Sequence, residues 1–129
     1  MKPVKQKDFE QGGGCFRACI ASLLEVTYED VPEFNDDWYT KYNEWLIKRG
    51  YYLLMVDYWV LIAYPPVYYI AGGPSPRSNP NGHAIIRYEN DDVFDPHPDN
   101  TFLEGIPEQV YFLIPIDKKI DLGDSNAGA

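Results

Sequence analysis

The apolar pattern of this chain changes period once, at Gly50, and that switch limits the folds open to it. Upstream, Phe16, Cys19, Ile20, Leu23 and Leu24 recur at three- and four-residue steps. That is the stripe of an amphipathic helix, which opens at Cys15. Val26, Thr27 and Pro32 mark its end. Asn35, Asp36 and Asp37 offer an N-cap and an acidic first turn to a second helix. Trp38, Tyr42, Trp45 and Leu46 line one face of it, and Gly50 is its stop. Downstream, residues 51–56 and 67–71 read as strands, with 57–64 open between strand and short helix. Residues 72–82, rich in Gly, Pro, Ser and Asn, read as a loop. Residues 83–88 and 92–95 are the arms of an expected hairpin around Glu89-Asn90-Asp91. Residues 110–116 form a last strand, which Pro115 would put at a sheet edge. Helices first and strands afterwards predict an α+β fold, with N-terminal helices on one side of a small antiparallel sheet.

A chain of 129 residues has room for one domain, expected over 1–118, with a short polar tail at 119–129. With 45% hydrophobic and 16% aromatic residues it can build one packed core and groove walls of large rings. The formal net charge of -9 repels phosphate backbones, so nucleic acid is not an expected partner. No segment has the length of a membrane span, and Met1 to Glu10 lack the apolar core of a signal peptide. Cytoplasmic residence is therefore expected, with no membrane partner. The pattern leaves the oligomeric state open.

Cys15 is the residue with the most chemistry to offer. It follows Gly12-Gly13-Gly14 and opens a helix, where free N–H groups and the partial positive charge of the terminus favour a thiolate and can hold an oxyanion. A cysteine can equally be a small buried hydrophobe, and Cys19, one turn on along the apolar stripe, reads as that. A disulfide between such close helical neighbours is geometrically poor. His83 stands at a loop-to-strand junction, far along the chain, where it can act as the base for Cys15. If residues 83–95 fold back as a hairpin, Asp95 meets His83 and can accept from its Nδ1–H. His97, between Pro96 and Pro98, is a rival base placed in a turn. Gln6 and Gln11 precede Cys15, and either could supply a side-chain donor to an oxyanion. Cys15, Cys19, His83 and His97 satisfy zinc by count, but the spacing of the histidines across a hairpin argues against it. The loop before His83 can border the cleft with Arg77 meeting a substrate carboxylate, or can be a turn with a solvated arginine. The glycine run lacks the lysine and glycine spacing of a phosphate loop.

The run from Gly14 to Leu24 resembles the nucleophile helix of papain-like cysteine peptidases, especially the branch that processes bacteriocins at double-glycine sites. Gly82-His83-Ala84-Ile85-Ile86, then Val93-Phe94-Asp95-Pro96, resembles the histidine strand and the Asp-Pro of that branch. The chain as a whole is similar to small papain-like proteins of phages and bacteria. Their pattern joins an early glutamine, a Gly-x-Cys helix, a Val-Pro, a Ser-Pro-Arg loop, His-Ala and Asp-Pro-His-Pro. Here these are Gln6, Cys15, Val31-Pro32, Ser75-Pro76-Arg77, His83-Ala84 and Asp95 to Pro98. The resemblance implies a papain-like fold, a Cys15–His83–Asp95 triad, no cofactor, and a protein or peptide substrate cut at an amide or isopeptide bond. It also implies residence in the host cytoplasm if the chain is phage-encoded. Gln6 and Gln11 fall on either side of the usual oxyanion-glutamine spacing, so both stay candidates. Two other activities remain open on the same residues: a binding or inhibitory module on this scaffold, and a thiol-dependent acyl transferase.

Overall fold

A computed structural model of the chain describes residues 1–9, 14–61 and 63–117. Two helices lead, α1 (Gly14–Leu24) and α2 (Trp38–Ile47). Five strands follow: β1 (Tyr51–Asp57), β2 (Tyr68–Gly73), β3 (His83–Tyr88), β4 (Asp91–Phe94) and β5 (Gln109–Pro115). They form one antiparallel sheet in the order β1-β5-β2-β3-β4. The α+β class expected from the change of period at Gly50 is what the chain adopts.

Strand alternation explains how the sheet is covered on both faces. Leu53, Ile70, Ala84, Ile86 and Tyr111 are buried with Cys19, Ile20, Ala21, Tyr42 and Leu46 of the helices. The intervening Tyr69, Ala71, Ile85 and Val110 form a second cluster. Val56, Tyr58, Phe102 and Phe112 pack against it. Both helices therefore share one face, α1 against β2 and β3, α2 against β1. The other face is closed by the one-turn 3₁₀ helix at Tyr58–Val60 and the chain near 102–103. That short helix resolves the ambiguity of residues 57–64 for the part described.

Several local expectations are corrected. α1 starts one residue earlier than Cys15, so Gly14 belongs to the helix and not to a flexible turn. Asp36 and Asp37 precede the first turn of α2, and Asp37 caps it without a side-chain bond, in a left-handed conformation (φ 53°). Gly72 and Gly73 are the last rungs of β2, paired with Ala84 and His83, so the loop is shortened to 74–82. β5 lies between β1 and β2 and is not an edge strand. Pro115 is tolerated because Ile116 N–H donates to the Gly50 carbonyl (2.9 Å), which makes the rung opposite Tyr51 a non-hydrogen-bonded one, and β2 pairs with β5 only at 109–111. The real edge at β1 is blocked by α2. Asn43 donates to the Leu53 carbonyl (3.1 Å) and accepts from the Leu53 N–H (2.7 Å), as a neighbouring strand would. The expected tail at 119–129 lies outside the described residues. Among the described residues no helix is long and apolar enough to cross a membrane.

The first nine residues run as a strap across the molecule. Lys2 N–H donates to the Ser22 carbonyl, Val4 N–H to Ser22 Oγ, and Gln6 N–H to the Pro96 carbonyl. The strap thus joins α1, which carries Cys15, to the turn that follows β4, which carries Asp95.

Candidate active site

Cys15 sits in the first turn of α1, and Cys19, one turn deeper, is fully buried in the core. Burial, with the charges of Cys15 and Asp95 nearby, pushes the Cys19 thiol well up, so it stays neutral packing material. Cys15 is half-buried and opens onto a cleft of about 1880 Å³. Its walls carry Phe16, Trp38, Tyr42, His83 and Tyr111. Phe16 is the hub of the aromatic wall, with ring centroids 5.0 Å from Trp38 and 5.0 Å from Tyr111. Asp8, Glu33, Asp36 and Glu108 also line the cleft and give it an acidic rim.

His83 begins β3, directly after Gly82, whose φ of 77° lets the chain turn into the strand. The hairpin of β3 and β4 closes at Glu89 and Asn90, and a register shift at Ile86/Arg87 bulges it. Asp95 follows the last rung of β4, and its carboxylate reaches His83 Nε2 at 2.7 Å. The two ends of the hairpin thus meet as expected, but through the other ring nitrogen. Nε2 faces Asp95, which leaves Nδ1 out of that bond, and Cys15 and His83 line the same cleft.

Asp95 is 1% exposed, so its charge must be compensated locally. Oδ1 accepts from His83 Nε2 and from the His97 N–H (2.9 Å), and Oδ2 accepts from the Phe102 N–H (2.8 Å). Burial alone would raise this carboxyl; the bonds from His83 and the two backbone N–H groups outweigh it and hold the group below the ordinary range. Burial alone would lower the imidazole. The Asp95 bond and the Cys15 thiol outweigh that and raise His83 to about 9.

Between the ordinary histidine value of about 6.5 and the folded value of about 9, the folded state holds a proton that the unfolded state has lost. Stability from this pair is full below the lower value and is lost as pH rises through the upper one. Urea denaturation from pH 6 to pH 10 is expected to show falling stability across that window, with this part of the slope missing in His83→Ala. Parallel curves for both proteins would show that His83 carries no extra proton in the folded state.

The remaining expected residues divide. Gln6 is 9% exposed and off the cleft wall; its Nε2 donates to the Asp8 carbonyl (2.9 Å), while its Oε1 is buried without a partner among the described residues. It braces the backbone beside α1 rather than facing the cleft. Gln11 lies outside the described residues. The ring of His97 is 6.3 Å from that of His83, centroid to centroid, and its Nδ1 accepts from the Asp99 N–H. His97 serves Asp95 through its backbone, so the rival base is a turn residue. Loop 74–82 borders the cleft as expected, but Arg77 turns away. One of its terminal nitrogens bonds both oxygens of Asp99 (2.9 and 2.8 Å) and Thr101 Oγ1 (2.9 Å). Among the described residues no group of three or more His, Cys, Asp and Glu side chains is placed to hold a metal ion.

Two residues escaped the reading of the sequence. Lys5 bonds the turn that carries Asp95, and Asp8 anchors the strap through Tyr28 Oη (2.9 Å) and Arg17. In sequence both sit in a charged, aperiodic lead-in, which gives no signal of burial or partner. Comparison with family models, with curated proteins and with solved structures finds no match.

Proposed function

We propose that this chain is a cysteine hydrolase of papain-like type that cleaves a peptide, isopeptide or related amide bond. The observation that carries the reading is the His83–Asp95 bond of 2.7 Å, buried at the wall of a cleft onto which Cys15 opens from the first turn of a helix. The order of the three residues along the chain, and a helix packed on an antiparallel sheet, support the papain-like assignment.

Each side chain has one task. Asp95 holds His83 by Nε2, which leaves Nδ1 to serve the thiol. The imidazolium beside Cys15 favours the thiolate, as do the free N–H groups at the start of α1. Sγ attacks the carbonyl carbon, and the charge that develops on oxygen is met by those N–H groups. His83 gives its proton to the departing nitrogen, the C–N bond breaks, and an acyl thioester remains on Cys15. His83 then takes a proton from water as the new C–O bond forms, and the C–S bond breaks. The acidic rim suits neutral or cationic peptides and repels polyanions.

Alkylation by iodoacetamide, followed by peptide mass mapping, tests the pair without knowledge of the substrate. Cys15 is expected to react at neutral pH much faster than buried Cys19, and to slow by about tenfold or more in His83→Ala. Asp95→Asn is expected to fall between the two. A Cys15 whose rate ignores both substitutions would remove the catalytic reading and leave a scaffold for binding.

A further inference from the structure

The strap makes one contact that the fold alone does not require. Lys5 Nζ donates to the Asp95 carbonyl (2.8 Å), the His97 carbonyl (3.1 Å) and Asn100 Oδ1 (2.7 Å). Three acceptors match the three N–H bonds of an ammonium, so its donors are fully used. The adjacent Gln6 N–H bonds the Pro96 carbonyl (3.0 Å), so two successive strap residues grip three successive carbonyls of the turn. This is the turn whose His97 N–H and Phe102 N–H aim the Asp95 carboxylate at His83. The His97 N–H belongs to the peptide whose Pro96 carbonyl Gln6 holds, and the two carbonyls that Lys5 holds flank that peptide on either side, so a shift of the turn between them would draw this N–H off the carboxylate.

We propose that Lys5 is a positioning residue for the triad: its ammonium locks the turn of residues 95–100 so that the Asp95 carboxylate stays on His83 Nε2. The inference deepens the catalytic reading and rests on it for its consequence, but not for its test. The groups that face His83 are Cys15 from α1, Asp95 from the turn, and the His97 ring at 6.3 Å. Cys19 lies behind Cys15 and is neutral. Lys5 bonds the backbone of the turn and Asn100, not these side chains, and direct loss of its positive charge would raise the His83 midpoint, so a fall has to pass through the turn.

The test is NMR titration of the imidazole carbons in the full chain, for wild type, Lys5→Met and Asn100→Gly. Asn100→Gly removes one of the three acceptors and suits the local φ of 56°. Lys7→Met is the control, because Lys7 is a strap cation that pairs with Glu29 and not with the turn. His83 is expected to titrate near 9 in wild type and in Lys7→Met. It should fall by about one pH unit or more in Lys5→Met, and by less in Asn100→Gly, because a looser Asp95 holds the imidazolium less well. Lys5→Arg, which keeps the charge and several donors, should recover part of the shift. A His83 midpoint unchanged in Lys5→Met and Asn100→Gly, even with a lower melting temperature, would overturn the proposal and leave Lys5 a structural tie. The catalytic reading fails by a separate result: Cys15 alkylation that is indifferent to His83→Ala.

Discussion

Replacing Cys15 with alanine is expected to end the amide cleavage proposed for this chain, and replacing His83 with alanine to slow it by about a thousandfold or more. Alanine at position 15 removes the thiol that shares the cleft wall with His83 and would carry the acyl intermediate. The His83 variant keeps the thiol and the start of α1, so some binding and oxyanion stabilisation should survive. Asp95→Asn is expected to be damaging for a specific reason. Both oxygens of Asp95 accept from N–H donors, so an amide would have to turn its own NH₂ toward one of them. Release of fluorophore from a panel of peptidyl amides, with products identified by mass, measures all three. Turnover retained by Cys15→Ala would sink the proposed mechanism. Equal turnover in wild type and His83→Ala would remove the histidine from it.

The parts of this arrangement that were legible in the sequence are those set by local pattern. The stripe from Phe16 to Leu24 and the strand runs after Gly50 follow from periodicity, because each side chain's face is decided by its neighbours within a turn or a rung. The meeting of His83 and Asp95 was also within reach, since a hairpin brings its own ends together. Strand order was not. Nothing local in residues 109–115 says that they insert between β1 and β2, and Pro115 pointed to an edge that pairing with Tyr51 denies. The ring nitrogen that faces Asp95 was misjudged for a similar reason. It depends on the bulge at Ile86/Arg87 and on where the turn after β4 sets the carboxylate, neither of which has a sequence signature. Lys5 shows the limit most plainly. Its partners lie 90 and more positions away, so a lysine in an aperiodic segment reads as solvated until the fold is known.

Gly14→Ala separates local propensity from tertiary contact by the sign of its effect. In an isolated helix the change would stabilise by about 1 kcal/mol, because glycine is a poor helix former. Here a methyl group at position 14 would lie 2.0 Å from the Asp8 carbonyl oxygen and 3.2 Å from Tyr28 Oη. The first contact is with backbone, which cannot simply rotate away. The Asp8 carbonyl also accepts from Gln6 Nε2, and the Asp8 carboxylate is held by Tyr28 and Arg17. The methyl group therefore has to lift the strap from α1, breaking those bonds, or push the start of the helix and Cys15 away from His83. Overpacking of this kind costs about 1–3 kcal/mol, which reverses the propensity term. Urea denaturation is expected to show net loss of stability, and alkylation at neutral pH a slower Cys15. A more stable Gly14→Ala with unchanged Cys15 reactivity would mean that the strap does not press on the start of α1. The contact that ties Asp8 to the start of α1 would then have to be abandoned.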